Sequence, residues 1–216
     1  MEINILNKCI CLCAKRNSGK SELLRYIYLT NKSLFEKVFV ICPSESVNRF
    51  YQDIIPKEDI FDTYKEEWIE KLIKKLTEIN AGLSDDNAHH ILLILDDCCS
   101  DTRFHNSNSF KKLFTRGRHI KITLFITTQY LNQIPPIARN NCDYLMVGQL
   151  NSQGVELLTK EFMVGSIHRV DFIKLYHLGT SNYGFLVINN NSTKDNSNID
   201  LIYGVLKTPE KYIKNK

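Results

Sequence analysis

Short apolar runs, each bounded by polar or turn-forming residues, recur along the chain. The runs at Lys8–Cys13, Val38–Cys42 and Ile91–Leu95 are almost continuously apolar, which is typical of strands buried on both faces of a parallel sheet. The same pattern predicts further strands at Ile120–Thr127, Asp143–Gly148, Tyr183–Ile188 and Ile199–Leu206. We therefore expect a largely buried sheet.

The segments between these strands place apolar residues at helical spacing. A helix is predicted from Ser21 to about Leu29, and Lys65–Asn80 is strongly amphipathic. Shorter helices are predicted at Phe110–Thr115, at Pro136–Asn140, at Asn151–Phe162 with Asn151 or Ser152 as the N-cap, and around Asp171–Leu175. The alternation of strands and helices predicts an α/β fold with a mostly parallel sheet.

The composition is that of an ordinary globular protein, with 43% hydrophobic and 24% charged residues. No repeat or linker divides the 216 residues, so we predict a single domain over residues 1–216. The Asn- and Ser-rich stretch 189–198 is expected to be an exposed loop and 207–216 a mobile tail. The net charge of +4 permits a nucleic-acid partner without requiring one, and no apolar run approaches transmembrane length.

Seven cysteines are present, and this odd number does not suggest a complete disulfide framework. Cys9, Cys11 and Cys13 alternate along one strand, so we expect them on one buried face as free thiols in a reducing compartment. Thiols on one flat face do not converge tetrahedrally, and we expect no zinc site from them. The adjacent pairs His89–His90 and Cys98–Cys99 are expected not to converge on a metal either.

The junction between the first strand and the first helix carries the most informative motif. The sequence A-K-R-N-S-G-K-S matches the phosphate-binding loop G-x-x-x-x-G-K-[S/T] except at its first residue, Ala14. A methyl group is tolerated there only if φ of Ala14 is negative. The predicted nucleotide-binding residues are Ala14, Lys15, Arg16, Asn17, Ser18, Gly19, Lys20, Ser21 and Glu22.

The chemistry of a triphosphate explains these residue types. Backbone N–H groups of the loop and of the helix N-terminus supply several convergent donors. Gly19 lets the backbone approach the phosphates, Lys20 places an ammonium against the β and γ oxygens, and Ser21 offers a hydroxyl to Mg²⁺. The motif therefore predicts a site for ATP and Mg²⁺.

A second motif ends the apolar strand Ile91–Leu95, which is followed directly by Asp96 and Asp97. Acids at the carboxyl end of a buried parallel strand lie at the ligand crevice of an open α/β sheet. We expect Asp96 to hold Mg²⁺ together with Ser21, and Asp97 to polarise the attacking water. The alternative for the acids alone is an ordinary acidic turn.

The stretch Leu113–Gly148 resembles the DNA-packaging ATPases of large double-stranded DNA viruses, most of all the poxvirus-type enzyme of the FtsK–HerA superfamily. Gly-Arg-His before a strand, Gln129 closing it, a short proline-containing helix and Ala-Arg-Asn-Asn occur in the same order there. With the two motifs above, the resemblance covers roughly residues 8–165. Ala14 and the C-terminal region depart from it.

The resemblance implies a RecA-like sheet in which the Gln129 strand lies between the phosphate-loop strand and the Asp96 strand. Gln129 would be a sensor beside the γ-phosphate, and Arg118 would reach the ATP of a neighbouring subunit, with Arg116 as the alternate. Arg139 and Asn140 would shape a subunit contact. Surface arginines that satisfy carbonyls at a helix end are the alternative for Arg118 and Arg116.

The function implied is an ATPase that translocates double-stranded DNA into a capsid as a ring, a pentamer or hexamer, with viral capsid proteins as partners. Its implied location is the host-cell cytoplasm, in the virus factory, and the virion. One alternative is a nucleotide-dependent assembly or DNA-binding factor without a motor cycle. Another is a small P-loop kinase, which is weakened by the absence of a visible acceptor lid and by Gln129 at a strand end.

Overall fold

The structure of the chain, a computed structural model, describes residues 3–100, 106–192 and 199–212. Within these ranges one eight-stranded sheet organises the molecule. Its strands are β1 (Cys9–Cys13), β2 (Lys37–Ile41), β3 (Ile60–Phe61), β4 (Ile91–Asp96), β5 (Ile122–Thr128), β6 (Tyr144–Val147), β7 (Gly184–Asn189) and β8 (Tyr203–Lys207).

The strand order is β3-β2-β4-β5-β1-β6-β7-β8. All pairings from β3 to β6 are parallel, whereas β7 runs antiparallel to β6 and to β8. The strand that ends before Gln129, β5, lies between β1 and β4, as the resemblance implied. Because β7 is reversed, its first residue lies at the edge of the sheet where the parallel strands end.

Helices cover both faces of the sheet. The α-helices are α1 (Lys20–Asn31), α2 (Glu45–Asn48), α3 (Glu66–Ile79), α4 (Asn108–Arg116), α5 (Pro136–Asn141), α6 (Ser152–Phe162), α7 (Arg169–Gly179) and α8 (Ile199–Ile202). Asn151 caps α6 through its side chain, which accepts from Gly154 N at 2.8 Å, as predicted. In the described part of the chain, no helix combines the length and apolar character needed to cross a membrane.

The core consists of two clusters, one on each face of the sheet, and alternate side chains of β1 contribute to each. Cys9, Cys11 and Cys13 pack with the inner faces of α3 to α7, whereas Ile10 and Leu12 pack with α1 on the opposite face. All seven cysteines are buried and free, and burial raises the pKa of the Cys13 thiol to about 12. The predicted common face of the three β1 cysteines is confirmed.

Two segments differ from the sequence-based expectation. The predicted strand Ile199–Leu206 is wrong in its first half, which is the helical turn α8. Ile199 and Ile202 are three residues apart and both pack against the core, so helical spacing prevails over strand alternation there. The strand predicted from Ile120 begins two residues later, because Gly117–Ile120 is a 3₁₀ turn followed by Lys121 at φ 64°.

The C-terminal segment packs against α1 near its described end at residue 212. Glu210–Tyr212 forms a 3₁₀ turn, and the Tyr212 ring lies 4.9 Å from the Tyr26 ring of α1, centroid to centroid. This aromatic contact holds the segment against the helix that follows the phosphate loop. Residues 193–198 of the predicted exposed loop and residues 213–216 of the predicted tail lie outside the described ranges.

Arg139 joins α5 to α6 inside the chain. Its guanidinium donates to both Glu161 carboxylate oxygens, from Nε at 2.6 Å and from Nη2 at 2.7 Å, and Nη1 donates to the Ile134 carbonyl. The residue is only 6% exposed. The donors of Arg139 are thus used within the subunit, whereas Asn140 is exposed. The expected contribution of both residues to a subunit contact stays a prediction.

Ala14 and Gly148 pack against each other where β1 and β6 end. A Cβ built on Gly148 would lie 2.8 Å from Ala14 Cβ and 3.0 Å from Phe185 Cε1. We predict that Gly148→Ala lowers the free energy of unfolding by about 1–3 kcal/mol, because an overpacked core must shift. Urea denaturation measures this change.

The same substitution is also made in an Ala14→Gly variant. This variant lacks the Ala14 methyl group and therefore removes the 2.8 Å contact with a Cβ at position 148. In that background Gly148→Ala should be less costly, so the double-mutant cycle should show a favourable coupling between the two substitutions. Equal costs in both backgrounds would contradict the packing argument.

Candidate functional site

The phosphate loop connects β1 to α1 at the carboxyl edge of the parallel strands. Its first two residues are fixed by the neighbouring strands. Ala14 N donates to the Thr128 carbonyl at 3.2 Å, and Lys15 N donates to the Gln149 carbonyl at 2.8 Å. The loop is therefore held between the ends of β5 and β6, with its following residues free to face a ligand.

The backbone of the loop has the conformation that the motif requires. Gly19 is left-handed at φ 86°, and so is Asn17 at φ 61°. The φ angle of Ala14 is not positive, and the residue is fully buried. Its methyl group is therefore compatible with this position. Gly148 supplies the space for that methyl group.

Lys20 lies over the loop that precedes it. Its ammonium donates to the Ala14 carbonyl at 2.7 Å and to the Lys15 carbonyl at 3.4 Å. Burial lowers the pKa of Lys20, and the Asp97 and Asp96 carboxylates oppose that shift. The structure thus brings this cation and the two predicted acids into one electrostatic cluster.

Asp96 ends β4 opposite Thr127 of β5. The Thr127 hydroxyl donates to Asp96 Oδ1, and the Tyr51 hydroxyl donates to Oδ2 at 2.9 Å. The Cys42 thiol also lies 3.6 Å from Oδ2. These contacts come from β5 and from the segment after β2, and they fix the direction of the carboxylate.

Asp97 follows in the left-handed conformation, at φ 52°. Its backbone N–H donates to Thr127, with the carbonyl and the hydroxyl oxygen both at 3.2 Å. Gln129 Nε2 donates to Asp97 Oδ2 at 3.3 Å. Burial raises the pKa of Asp97, Asp96 adds to the rise, and the Gln129 hydrogen bond and Lys20 oppose it. A carboxylate with a raised pKa suits a general base.

Sequence reasoning missed the residues that support Asp96. Tyr51 is 1% exposed, and burial raises its pKa well above the usual value. The buried Glu45 carboxylate holds the segment that carries Tyr51 by accepting from the N–H groups of Phe50, Tyr51 and Gln52. The stretch from Glu45 to Tyr64 has no clear periodicity, so no sequence signal pointed to these contacts.

The donor set fits Mg²⁺. Ser21 contributes a hydroxyl oxygen and Asp96 a carboxylate, the hard ligands that this cation takes. Oδ1 of Asp96 accepts one hydrogen bond, and Oδ2 accepts one from Tyr51 and a weaker one from the Cys42 thiol. A carboxylate has about four lone-pair sites. Asp96 can therefore keep its present partners and still accept from a water bound to the cation.

The remaining predicted residues differ in their surroundings. Lys15, Arg16 and Asn17 are exposed, and the Ser18 hydroxyl donates to the Lys15 carbonyl. Glu22, in the first turn of α1, has a buried oxygen, Oε2, with no hydrogen-bond partner among the described residues. All of them lie on the loop or on the first turn of α1.

Arg118 and Arg116 lie at the opposite edge of the sheet. Arg118 is exposed on the 3₁₀ turn before β5, and Arg116 is exposed at the end of α4. The seven residues of β5 separate this turn from Gln129, a length of roughly 23 Å at 3.3 Å per residue. Neither arginine belongs to the cluster around Lys20 in its own subunit.

Comparison with known proteins identifies viral relatives. The family model described as "Poxvirus A32 protein" matches residues 6–202. Uncharacterized protein 075L of Invertebrate iridescent virus 6 is 32% identical over 189 residues, which is 87% of this chain and 72% of that protein. Uncharacterized protein L437 of Acanthamoeba polyphaga mimivirus is 28% identical over 156 residues, or 66% of this chain and 52% of that protein.

Solved structures share the fold. The genome packaging NTPase B204 from Sulfolobus turreted icosahedral virus 2, in complex with AMP, has a TM-score of 0.63 at 16% identity, covering 95% of this chain and 98% of that one. The pCW3 conjugation coupling protein TcpA has a TM-score of 0.60 at 15% identity, covering 95% and 62%. The predicted fold class, a P-loop NTPase with a RecA-like, mostly parallel sheet, is confirmed.

The Tyr51 hydroxyl gives a test of how Asp96 is oriented. We predict that Tyr51→Phe raises the Mg²⁺ concentration needed for half-maximal binding of AMPPCP by about 10-fold, the usual contribution of a hydrogen-bond partner to a metal ligand. Isothermal titration at several Mg²⁺ concentrations measures it. Binding in EDTA should be unchanged.

Tyr64→Phe is the matched control. The Tyr64 hydroxyl contacts Ser107 and Ser109 before and in α4, at 3.0 and 2.7 Å. If both phenylalanine variants changed the Mg²⁺ requirement equally, Tyr51 would have no special role toward Asp96.

Proposed function

The chain belongs to the poxvirus A32 protein family, as the resemblance around Leu113–Gly148 indicated, and on that premise we propose that it is an ATPase that packages viral genomic DNA. One observation carries the proposal. The Lys20 ammonium, the Asp96 and Asp97 carboxylates and the Gln129 amide meet at the ends of three adjacent strands, in the order β4, β5, β1. This arrangement of a cation, two acids and an amide serves phosphoryl transfer to water.

The phosphate loop binds and orients the triphosphate. Backbone N–H groups from Arg16 to Ser21 face the phosphate oxygens, and Gly19 permits the close approach. The Lys20 ammonium exchanges its loop carbonyl partners for β and γ oxygens, where it stabilises the charge that develops on the transferred group. Ser21 and Asp96 would hold Mg²⁺, and the bound cation would supply positive charge against the phosphates.

Asp97 and Gln129 handle the attacking water. Asp97 accepts the proton of the water as the water oxygen bonds to the γ-phosphorus, and the bond from this phosphorus to the β–γ bridging oxygen breaks, so that ADP leaves. The amide of Gln129 positions the Asp97 carboxylate through the 3.3 Å hydrogen bond, and we propose that it senses the loss of the γ-phosphate. Hydrolysis therefore changes the surroundings of Gln129, the residue that follows the central strand β5.

We also propose that several copies of this ATPase form a ring that translocates double-stranded DNA. The exposed Arg118 lies at the sheet edge remote from its own phosphate loop, so a head-to-tail neighbour can place it at a second active site. An arginine that one subunit inserts into the active site of its neighbour is called an arginine finger. Such a finger makes ATP turnover dependent on contact between the subunits. We further propose a pentameric or hexameric assembly, viral capsid proteins as partners, and action in the cytoplasmic virus factory and in the virion.

The decisive experiment measures ATP turnover with and without duplex DNA. We expect duplex DNA to stimulate turnover, and the apparent DNA affinity to fall steeply between low and moderate salt, because non-specific binding releases counterions from the phosphates. ATP-dependent assembly without turnover would instead support an assembly factor. Phosphate transfer to a small acceptor would support a kinase.

Two variants control this experiment. Lys20→Ala should lose binding or turnover, whereas Asp97→Asn should bind ATP with Mg²⁺ and hydrolyse it at least on the order of 100-fold more slowly. Full activity in Lys20→Ala would contradict the assignment of the phosphate loop.

The raised pKa of Asp97 predicts a pH effect. Asp97 acts as a base only when ionised, so kcat/KM falls as the pH decreases through the Asp97 pKa, which lies above its usual value. The Gln129 hydrogen bond lowers that pKa. Gln129→Ala should therefore raise it and move the acid limb of the kcat/KM profile to higher pH.

Gln133→Ala is the control for this pH profile. The Gln133 side chain accepts from the Thr128 hydroxyl at 2.7 Å and has no hydrogen bond to Asp97 in the described part of the chain. The acid limb of the kcat/KM profile of Gln133→Ala should coincide with that of the wild type. An unshifted limb in Gln129→Ala would show that Asp97 is not the base.

The proposed role of Arg118 predicts complementation between inactive subunits. Arg118→Ala should bind ATP normally and hydrolyse it about 10³-fold more slowly, the usual contribution of such a finger. Mixed with Lys20→Ala, it should regain activity, because a mixed interface combines an intact phosphate loop with an intact finger. Arg116→Ala serves as the parallel variant.

The mixing assay requires concentrations at which rings form and exchange subunits. Assembly of mixed rings is checked by native mass spectrometry. Mixed rings without recovered activity would place the effect of Arg118 within its own subunit.

A further inference from the structure

The turn between α7 and β7 places an exposed tyrosine against the phosphate loop. Because β7 is antiparallel to its neighbours, Gly184 begins it at the edge where β6 ends, near Gly148. A Cβ built on Gly19 would lie 3.6 Å from Tyr183 Cδ1 and 3.8 Å from Tyr183 Cβ. Any side chain on the last glycine of the loop would thus be in van der Waals contact with Tyr183.

Hydrogen bonds fix this turn relative to the loop. Tyr176, one helical turn earlier, donates from its hydroxyl to the Gly148 carbonyl at 3.2 Å and accepts from Leu150 N at 2.7 Å. Gln149 lies between these two residues, and its carbonyl accepts from Lys15 N. The end of α7 and the start of the phosphate loop are therefore tied to the same three residues.

The backbone of the turn also determines where Tyr183 lies. Asn182 and Tyr183 are both left-handed, at φ 49° and 58°, a conformation that costs non-glycine residues energy and persists only where the surroundings impose it. Gly184 N donates to the Ser181 carbonyl at 2.9 Å. A Cβ on Gly184 would lie 2.3 Å from the Gly179 carbonyl oxygen, so the tight turn requires glycine there.

This well-anchored turn presents an apolar surface to solvent. Tyr183 is 68% exposed, which is high for a large aromatic residue, although its backbone is tightly held. A loop that binds the phosphates leaves the sugar and base of a nucleotide to extend beyond it. An aromatic face at that place is a stacking surface for a base, since every nucleobase presents a π-face.

We propose that Tyr183 binds the base of the nucleotide by stacking. The proposal extends the function proposed above and depends on nucleotide binding, but not on hydrolysis or DNA. It makes the α7–β7 turn part of the ligand site and gives Gly19 a second role, since a side chain there would contact the Tyr183 ring. Stacking is tolerant of base identity, so Tyr183 should contribute similarly to adenine and guanine nucleotides.

The test compares a ligand that has a base with one that lacks it. Binding of AMPPCP and of inorganic tripolyphosphate, each with Mg²⁺, is measured calorimetrically for the wild type, Tyr183→Ala and Tyr183→Phe. We expect Tyr183→Ala to weaken AMPPCP binding on the order of 10-fold, with tripolyphosphate binding unchanged. Tyr183→Phe should retain wild-type AMPPCP affinity because the ring remains.

Two further variants make the result specific. Leu178→Ala changes a 74% exposed residue near the end of α7 and should affect neither ligand. Tyr183→Trp introduces a fluorophore whose emission AMPPCP should quench and tripolyphosphate should not, after subtraction of the signal of Trp68, the only natural tryptophan.

Wild-type AMPPCP affinity in Tyr183→Ala would overturn the proposal. Equal weakening of AMPPCP and tripolyphosphate would also overturn it, because the residue would then act through the shape of the loop. Base-dependent loss in a protein that binds AMPPCP but never hydrolyses ATP would support the stacking site and refute the proposed ATPase. The two proposals can therefore fail separately.

Discussion

The register of β5 between its two parallel neighbours is the constraint on which the site depends. Thr127 lies opposite Asp96, and its hydroxyl and backbone hold both acids. The next residue, Thr128, accepts from Ala14 N through its carbonyl and so fixes the start of the phosphate loop. Because side chains alternate along a strand, a slip of one residue would turn these groups to the wrong face. Two consecutive residues thus align the acids with the loop.

Burial of opposite charges gives this aligned site its electrostatic character. Burial alone would favour neutral forms of Lys20 and Asp97, lowering the pKa of the first and raising the pKa of the second. Their mutual attraction opposes both shifts. In such partly desolvated surroundings a phosphate charge interacts more strongly than in water, so the ligand can replace internal contacts of Lys20. The hydrogen bond from Gln129, the residue after the central strand β5, lowers the pKa of Asp97.

The reversed strand β7 connects the C-terminal part of the chain to the same edge. If β7 were parallel, the turn after α7 would lie at the opposite edge, with Arg118. Instead Tyr176 contacts the backbone at Gly148, and Tyr183 reaches Gly19. This C-terminal part, which lies beyond the resemblance read from the motifs but within the residues 6–202 that the family model matches, therefore contributes packing and an exposed aromatic surface beside the loop. The parallel strands therefore carry the phosphate loop and the two acids, whereas the reversed strand β7 carries the turn with Tyr183 beside that loop.

The sequence by itself determined what depends on neighbouring residues. The apolar runs predicted the strands other than β3, and local spacing predicted the phosphate loop and the acids after β4, since both are contiguous motifs. The order β4-β5-β1 followed from family resemblance. Only the tertiary structure decided that Tyr51 and Glu45 support Asp96, that Arg139 is used within the subunit, and that Tyr183 lies against Gly19. These contacts join residues distant along the chain, and no local pattern encodes which distant surfaces a reversed strand or an aperiodic segment will meet.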